Sequence, residues 1–368
     1  MKKIVIIHNL PIDYYPPSVN LINTIKEKFE TYILTTKSQI GSRILKKDKK
    51  IKIKYLFKEV RNGISIFNLI RQLWFVFSSL LQLIKIKPNI ILYYETISSA
   101  PVYLYLKYFN RNVKVYVHYH EYYTKEQFLR TGMRLWKKYK TFEENYLLKK
   151  CKGISQTNVN RLNFFKKDFP FLSNKQCYVL PNYPPRNWKI KNKTLFKTNK
   201  IKCVYVGSLS LKDLYLSEFI NWINKYEGLI SVDFYSFNFH KEVINFFKEV
   251  NKPWIKLYKD GINYYDIPNI LKNYDVGLLL YKANTINYQY NETNKLYEYL
   301  SCGLNIWYSS TLILVDNFAK QETWKSRFLR FDFKNNNLPK ISKIEEININ
   351  NNKYKYYCEN IYGNFLND

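Results

Sequence analysis

Residues 274–309 run YDVGLLLYKANTINYQYNETNKLYEYLSCGLNIWYSS. A short apolar strand (276–280) leads into a polar loop, a helix opening near Asn294, a Cys-Gly stop and another strand. Lys295 and Glu298 fall one turn apart near the start of that helix. A helix N-terminus carries unpaired N–H groups and the positive end of the macrodipole, so it suits a phosphate. A carboxylate just behind it can accept hydrogen bonds from sugar hydroxyls. Together these features fit a nucleotide carrying a sugar. The plainer reading is a βαβ crossover with a solvated Lys/Glu pair.

Outward from this stretch, composition sets the bounds. A chain of 368 residues suits two domains better than one. Hydrophobic content of 46% with 18% aromatic excludes a disordered protein. The formal charge of +30 would suit a nucleic-acid binder, but the charge is spread along the chain. The sequence carries no zinc-finger spacing, RNP-type aromatic pattern or helix-turn-helix signature, so no nucleic-acid partner is expected. A basic surface against anionic lipid is the functional reading of the charge. Abundant Lys, Asn, Ile and Tyr, as in AT-rich coding sequence, is the alternative. The five cysteines are scattered and form no CxxC pair, which argues for a reducing cytoplasm and against a disulfide framework or structural zinc. The opening MKKIVIIHNLP reads as a first strand rather than a signal peptide. The most apolar segment, LWFVFSSLLQLI at 73–84, would extend about 18 Å as a helix against a hydrocarbon core of roughly 30 Å. It reads as a core helix, with an interfacial membrane helix as the alternative, and no segment is expected to span.

The first half alternates strands (3–7, 32–35, 51–56, 89–94, 113–118, 153–156, 177–180) with helices (18–29, 64–86, 101–109, 135–150, 158–167). A Pro- and Asn-rich run, VLPNYPPRNW, then interrupts the rhythm. It restarts with strands at 202–206, 231–237, 254–258, 276–280, 305–308 and 328–333 and helices at 216–226, 241–250, 267–273 and 295–301. Short apolar strands alternating with helices predict parallel sheets covered on both faces. No Gly-rich dinucleotide fingerprint follows the first strand.

The order Asp275, VGLLL, TNKLYEYLSCGLNIW resembles the donor half of GT-B glycosyltransferases, family 4 in particular, in the branch marked by "HE" and "NK-L-x-E-Y". The resemblance implies that Glu298 holds the donor ribose and that Thr293, Asn294 and Lys295 face the diphosphate. Many members carry a further glutamate where this chain has Tyr290. VYVGSLS (204–210) resembles the glycine loop that opens the second domain in this family. By that resemblance Gly207 lets backbone approach the diphosphate and Lys212 neutralises it, while Ser208 stands where an arginine is usual. VYVHYHEYY resembles the strand end that carries the "HE" pair, here His120 and Glu121. These are the catalytic candidates, with His120 touching the donor sugar or diphosphate and Glu121 orienting it or capping the next helix. A structural histidine is the alternative.

The resemblance implies an α/β GT-B fold, two Rossmann-like domains with a cleft between them. Residues 1–182 would form the acceptor-side domain, 183–200 a linker, 201–352 the donor domain, and 353–368 a closing helix packed back on the first domain. The expected activity is transfer of a sugar from a nucleotide diphosphate sugar to a glycan or lipid-linked hydroxyl acceptor in bacterial surface polysaccharide or glycoconjugate assembly. It is expected to retain anomeric configuration and to need no cofactor and no metal, in keeping with the absence of any Asp-x-Asp in the sequence. The expected setting is the cytoplasmic face of an anionic membrane. The alternative function is a catalytically degenerate GT-B scaffold in a glycan-assembly complex, favoured by Tyr290 and Ser208.

Overall fold

The computed structural model describes residues 1–39, 48–59, 65–130, 133–189, 200–321, 327–341 and 354–366. The chain divides into two compact units, Met1–Pro181 with Cys358–Asp368, and Asn182–Tyr357. In the first, strands β1 (Lys2–His8), β2 (Phe29–Lys37), β3 (Ile51–Lys58), β4 (Ile90–Tyr94), β5 (Lys114–Tyr119), β6 (Gly153–Gln156) and β7 (Cys177–Val179) form one sheet in the order β3-β2-β1-β4-β5-β6-β7. Every described pairing is parallel. A parallel sheet is covered on both faces, which is why β1 and β4 are continuous apolar runs rather than alternating ones. The covering helices are α1 (Pro16–Ile25), α2 (Ser65–Ile86), α3 (Ser99–Tyr108), α4 (Arg134–Phe142), α5 (Leu148–Lys150) and α6 (Val159–Asp168).

The second unit repeats the plan. Strands β8 (Ile201–Val206), β9 (Ile230–Tyr235), β10 (Ile255–Tyr258), β11 (Val276–Leu279), β12 (Asn305–Ser309) and β13 (Phe328–Phe331) pair in parallel in the order β10-β9-β8-β11-β12-β13. Between them run α7 (Leu216–Ile223), α8 (Lys241–Val250), α9 (Ile267–Leu271), α10 (Ile286–Gln289), α11 (Asn294–Ser301) and α12 (Ile313–Ala319). Both sheets reverse direction of growth beside their first strand, between β1 and β4 and between β8 and β11. In open α/β sheets that reversal, at the carboxyl ends of the strands, is where ligands bind.

Some expectations differ from what is observed. The helix expected over 135–150 is broken by a π turn, Glu143–Leu147, where the buried Glu143 carboxylate accepts from Thr96 Oγ1 (2.7 Å) and Tyr119 O–H (2.9 Å). The loop after β11 contains α10, started by Thr285 Oγ1 accepting the Tyr288 N–H, and α12 was not foreseen.

The closing segment is no α-helix among its described residues. It makes two 3₁₀ turns, Cys358–Asn360 and Tyr362–Asn364. Its shape is set by anchors on the first unit: Tyr362 O–H donates to Pro181 O (2.6 Å), and the Phe365 ring meets those of Tyr116 and Tyr178. The segment 190–199 of the expected linker and the segment 342–353 lie outside the described residues.

A further difference concerns α2. Its 22 residues, about 33 Å at 1.5 Å per residue, match the helix expected over 64–86, but it is not buried all round as a core helix would be. Phe67–Ile86 has a mean hydropathy of 1.4, long and apolar enough to cross a membrane. Only one side is buried, through Gln72, Phe75, Ser79 and Leu83, while Phe67, Ile70, Trp74, Phe77 and Leu81 are exposed. The expected start of this helix at Ile64 lies outside the described residues.

Candidate functional site

In the first unit, parallel register brings His8, Tyr94 and His118 level at the carboxyl ends of β1, β4 and β5. One residue beyond β4, Glu95 takes a positive φ of 60° and turns its carboxyl across the next strand end. Its Oε1 accepts the backbone N–H of His120 (2.6 Å) and of Glu121 (3.1 Å). Burial pushes the Glu95 carboxyl up to about 8, Glu121 nearby adds to the rise, and the two N–H bonds oppose it.

His120 is buried, its ring stacked between those of Tyr15 (4.6 Å) and Tyr94 (5.1 Å) and set edge-on to His118 (4.8 Å). Its Nε2 lies 3.0 Å from Ser18 Oγ in α1. Burial, then the neighbouring His118 and His8, hold it well below the usual histidine range, so it is neutral. Its carbonyl accepts from buried Arg161 (2.6 Å), whose Nη2 also reaches Glu121 Oε2 at 3.3 Å. Glu121 thus pairs with an arginine rather than with the His120 ring. A cavity beside these residues, lined in part by Thr96, Glu121, Lys140 and Gln156, has about 10 Å³ of free volume, room for one water rather than a sugar.

In the second unit the chain leaves β8 at Gly207, with φ +142°. A Cβ there would lie 2.6 Å from Lys295 Cε and 2.8 Å from Lys295 Nζ, so the lysine side chain lies directly on the glycine backbone. Only glycine leaves that space open. Lys295, in the first turn of α11, accordingly sits against the carboxyl end of β8. Its Nζ donates to Tyr281 O–H (2.7 Å) and lies over the Tyr205 ring. Burial works to raise the Tyr281 phenol, but the Lys295 charge and hydrogen bond outweigh it, holding the phenol below its usual value. The Thr293 hydroxyl, just ahead of α11, reaches the same phenol.

One turn further, Glu298 is buried and no hydrogen bond from the described residues reaches its carboxyl group. Burial raises it to about 7 and the Lys295 charge only partly offsets this. Tyr299 fixes the helix in place: its O–H accepts the Val206 N–H (3.0 Å), and its ring lies where a Cβ on Gly277 would stand.

Seven donor-side candidates therefore divide. Gly207, Thr293, Lys295 and Glu298 come together, with Asn294 half-buried at the start of α11. Ser208 is exposed, its carbonyl taken by Tyr205 O–H and its hydroxyl by Asn238. Lys212 is exposed and makes no bond to this group. Glu292, two residues after Tyr290, is hydrogen-bonded to Tyr297. Sequence reasoning missed Tyr281, which lies just past the strand at 276–280, and Glu95. The latter carries the signal that singled out His120: a polar residue at the carboxyl end of an apolar strand.

No protein-family model matches the chain, and no curated protein matches it in sequence. Its structure is similar to that of WaaG, a glycosyltransferase involved in lipopolysaccharide biosynthesis, at a TM-score of 0.62 and 11% identity over 91% of this chain and 88% of that one. It is similar to the lipopolysaccharide outer core galactosyltransferase WaaB, at 0.54 and 14% over 83% and 80%. The fold is GT-B. A UDP-N-acetylglucosamine 2-epimerase matches as well, at 0.52 and 10% over 91% and 85%. GT-B alone therefore does not name a reaction, which must be argued from the residues.

Proposed function

We propose that this chain transfers a sugar from a nucleoside diphosphate sugar to a hydroxyl on a glycan or lipid-linked acceptor, in bacterial surface polysaccharide or glycoconjugate assembly at the cytoplasmic face of the membrane. The observation that carries the proposal is Glu298: a buried residue whose carboxyl takes no hydrogen bond among the described residues, one turn behind a lysine lying on a glycine. Two ribose hydroxyls would supply the missing donors. The diphosphate would lie over Gly207 and the start of α11, with Lys295 moving from Tyr281 to a phosphate oxygen.

As the bond from the anomeric carbon to the phosphate oxygen breaks, charge collects on the leaving diphosphate. In this reading Lys295 and the α11 N–H groups would meet that charge, in place of a metal ion. The acceptor hydroxyl attacks the same face and gives its proton to the departing phosphate oxygen, so configuration is retained without a protein nucleophile. His120, neutral and fixed by its stacking, is the polar contact we assign to the donor sugar.

The test is release of nucleoside diphosphate from a panel of nucleotide sugars, in the presence of EDTA, with and without membrane-extracted acceptor. Acceptor-dependent release that survives EDTA supports the proposal, and His120→Ala should lower it on the order of a hundredfold. Interconversion of the free donor without acceptor would make the chain an epimerase. Tight donor binding with no turnover would make it a scaffold.

A further inference from the structure

We infer that the outer face of α2 is a docking surface for a bilayer rich in anionic lipid. Phe67, Ile70, Trp74, Phe77 and Leu81 recur at intervals of three and four, the spacing of one helix face, and each is between 45% and 56% exposed. Leu69 and Leu73 widen the ridge. It runs about 21 Å at 1.5 Å per residue, and a contiguous apolar stripe of this kind marks an interaction site. The opposite face of the helix is held in the unit by the Gln72 side-chain amide, whose Nε2 donates to Ile97 O (3.2 Å), and through Phe75 and Leu83 in the core. The helix therefore lies along a surface rather than crossing a membrane.

The charge around the ridge selects the occupant. Neither α2 nor the helices packed beside it, α3 and α4, contain a single acidic residue. Arg71, Lys85 and Lys107 lie among them, with Arg134, Lys137 and Lys138 exposed on α4. At the C-terminal end of α2, a pocket of about 340 Å³ is lined by Lys3, Lys52, Lys54 and Lys85. Glu30 neutralises Lys52, and Lys3 reaches the Ile86 carbonyl. Lys54 and Lys85 face no acid among the described residues, which leaves them for lipid phosphate. A second copy of this chain would bring the same uncompensated cations face to face, in a protein of net charge +30. An anionic bilayer complements both the ridge and its charge.

This inference deepens the membrane setting of the proposed function and is tested without turnover, so its failure would leave sugar transfer itself untouched. The full chain is sedimented with vesicles of equal parts phosphatidylglycerol and phosphatidylcholine, and with phosphatidylcholine alone, at low and high salt. Binding to the anionic vesicles, weakened by salt, is expected. Trp74→Glu with Phe77→Glu should weaken it at least about tenfold while the circular dichroism stays unchanged, because both side chains are exposed. Lys54→Glu with Lys85→Glu should reduce the salt dependence. Brominated acyl chains should quench tryptophan fluorescence in the parent but less in Trp74→Phe. Three results would each overturn the proposal: no sedimentation at low salt, equal binding by the Trp74/Phe77 variant, or conversion of a dimer to a monomer by that variant in vesicle-free solution.

Discussion

Glu298 is one carboxyl group whose surroundings predict a measurable proton linkage. With its free value raised to about 7, donor hydroxyls that favour the carboxylate would lower it on binding, so the complex holds fewer protons. Affinity for a nucleoside diphosphate should then rise from about pH 5.5 to about pH 8 and flatten above. Calorimetry across that range should show the trend, and Glu298→Gln should remove it. Glu298→Ala should cost roughly 1.5–3 kcal/mol of binding, roughly 10- to 150-fold. A pH-independent dissociation constant in the parent would take Glu298 out of the donor site. Gly207 makes a second prediction at this scale. An alanine there would be strained at φ +142° and would drive Lys295 off its place, so Gly207→Ala should lose about 1–3 kcal/mol of stability as well as donor affinity. Urea unfolding and calorimetry on one preparation separate the two effects.

At the scale of the element, α11 is a short helix whose position depends on one tyrosine. Tyr299 takes the Val206 N–H where β8 ends and fills the hollow that Gly277 leaves in β11. Tyr299→Phe keeps the ring and strands a backbone donor, which should cost about 1–3 kcal/mol in a urea melt. A change within error would mean that water replaces the hydroxyl. Gly277→Ala should be worse, since its Cβ would stand 2.2 Å from Tyr299 Cδ2. The sequence pattern located α11 because its capping region, Lys295/Glu298 spacing and Cys-Gly stop are all local. It could not show the role of Tyr299, which in sequence is only another aromatic in an apolar stripe. The helix α2 carries the same lesson: its apolar content was plain, but which side faces protein depends on strands and helices far away in the chain.

For the whole molecule, buried titratable groups set opposing pH limits. Burial depresses His8 to about 4 and His118 to about 3, against an unfolded value near 6.5. The stability that depends on their neutrality is complete above about 6.5 and is lost as pH falls toward about 4. Glu95, raised to about 8, and Glu298, raised to about 7, act in the opposite sense. Their contribution is complete below the unfolded value of about 4.5 and is lost as pH rises through those folded values. The two sets oppose each other between about pH 4.5 and 6.5, so the melting temperature should change little there, fall below about pH 4.5 as the histidines protonate, and fall between about pH 6.5 and 8 as Glu298 and Glu95 ionise, and Glu298→Gln should soften the second fall. Histidine ring-proton signals of His8, His118 and His120 should stay at their neutral positions down to about pH 5. A titration of His120 near 6.5 would contradict its burial.

By itself the sequence determined the strands, most of the helices and the parallel two-unit plan, because apolar run length and periodicity are properties of neighbouring residues. Tertiary structure alone decided that Glu95 reaches the backbone of His120 and that Lys295 lies on Gly207. It also decided that one apolar face of α2 is left exposed among the described residues. Each of these depends on which strand ends the crossovers bring side by side, and that is fixed by packing between segments distant in the chain.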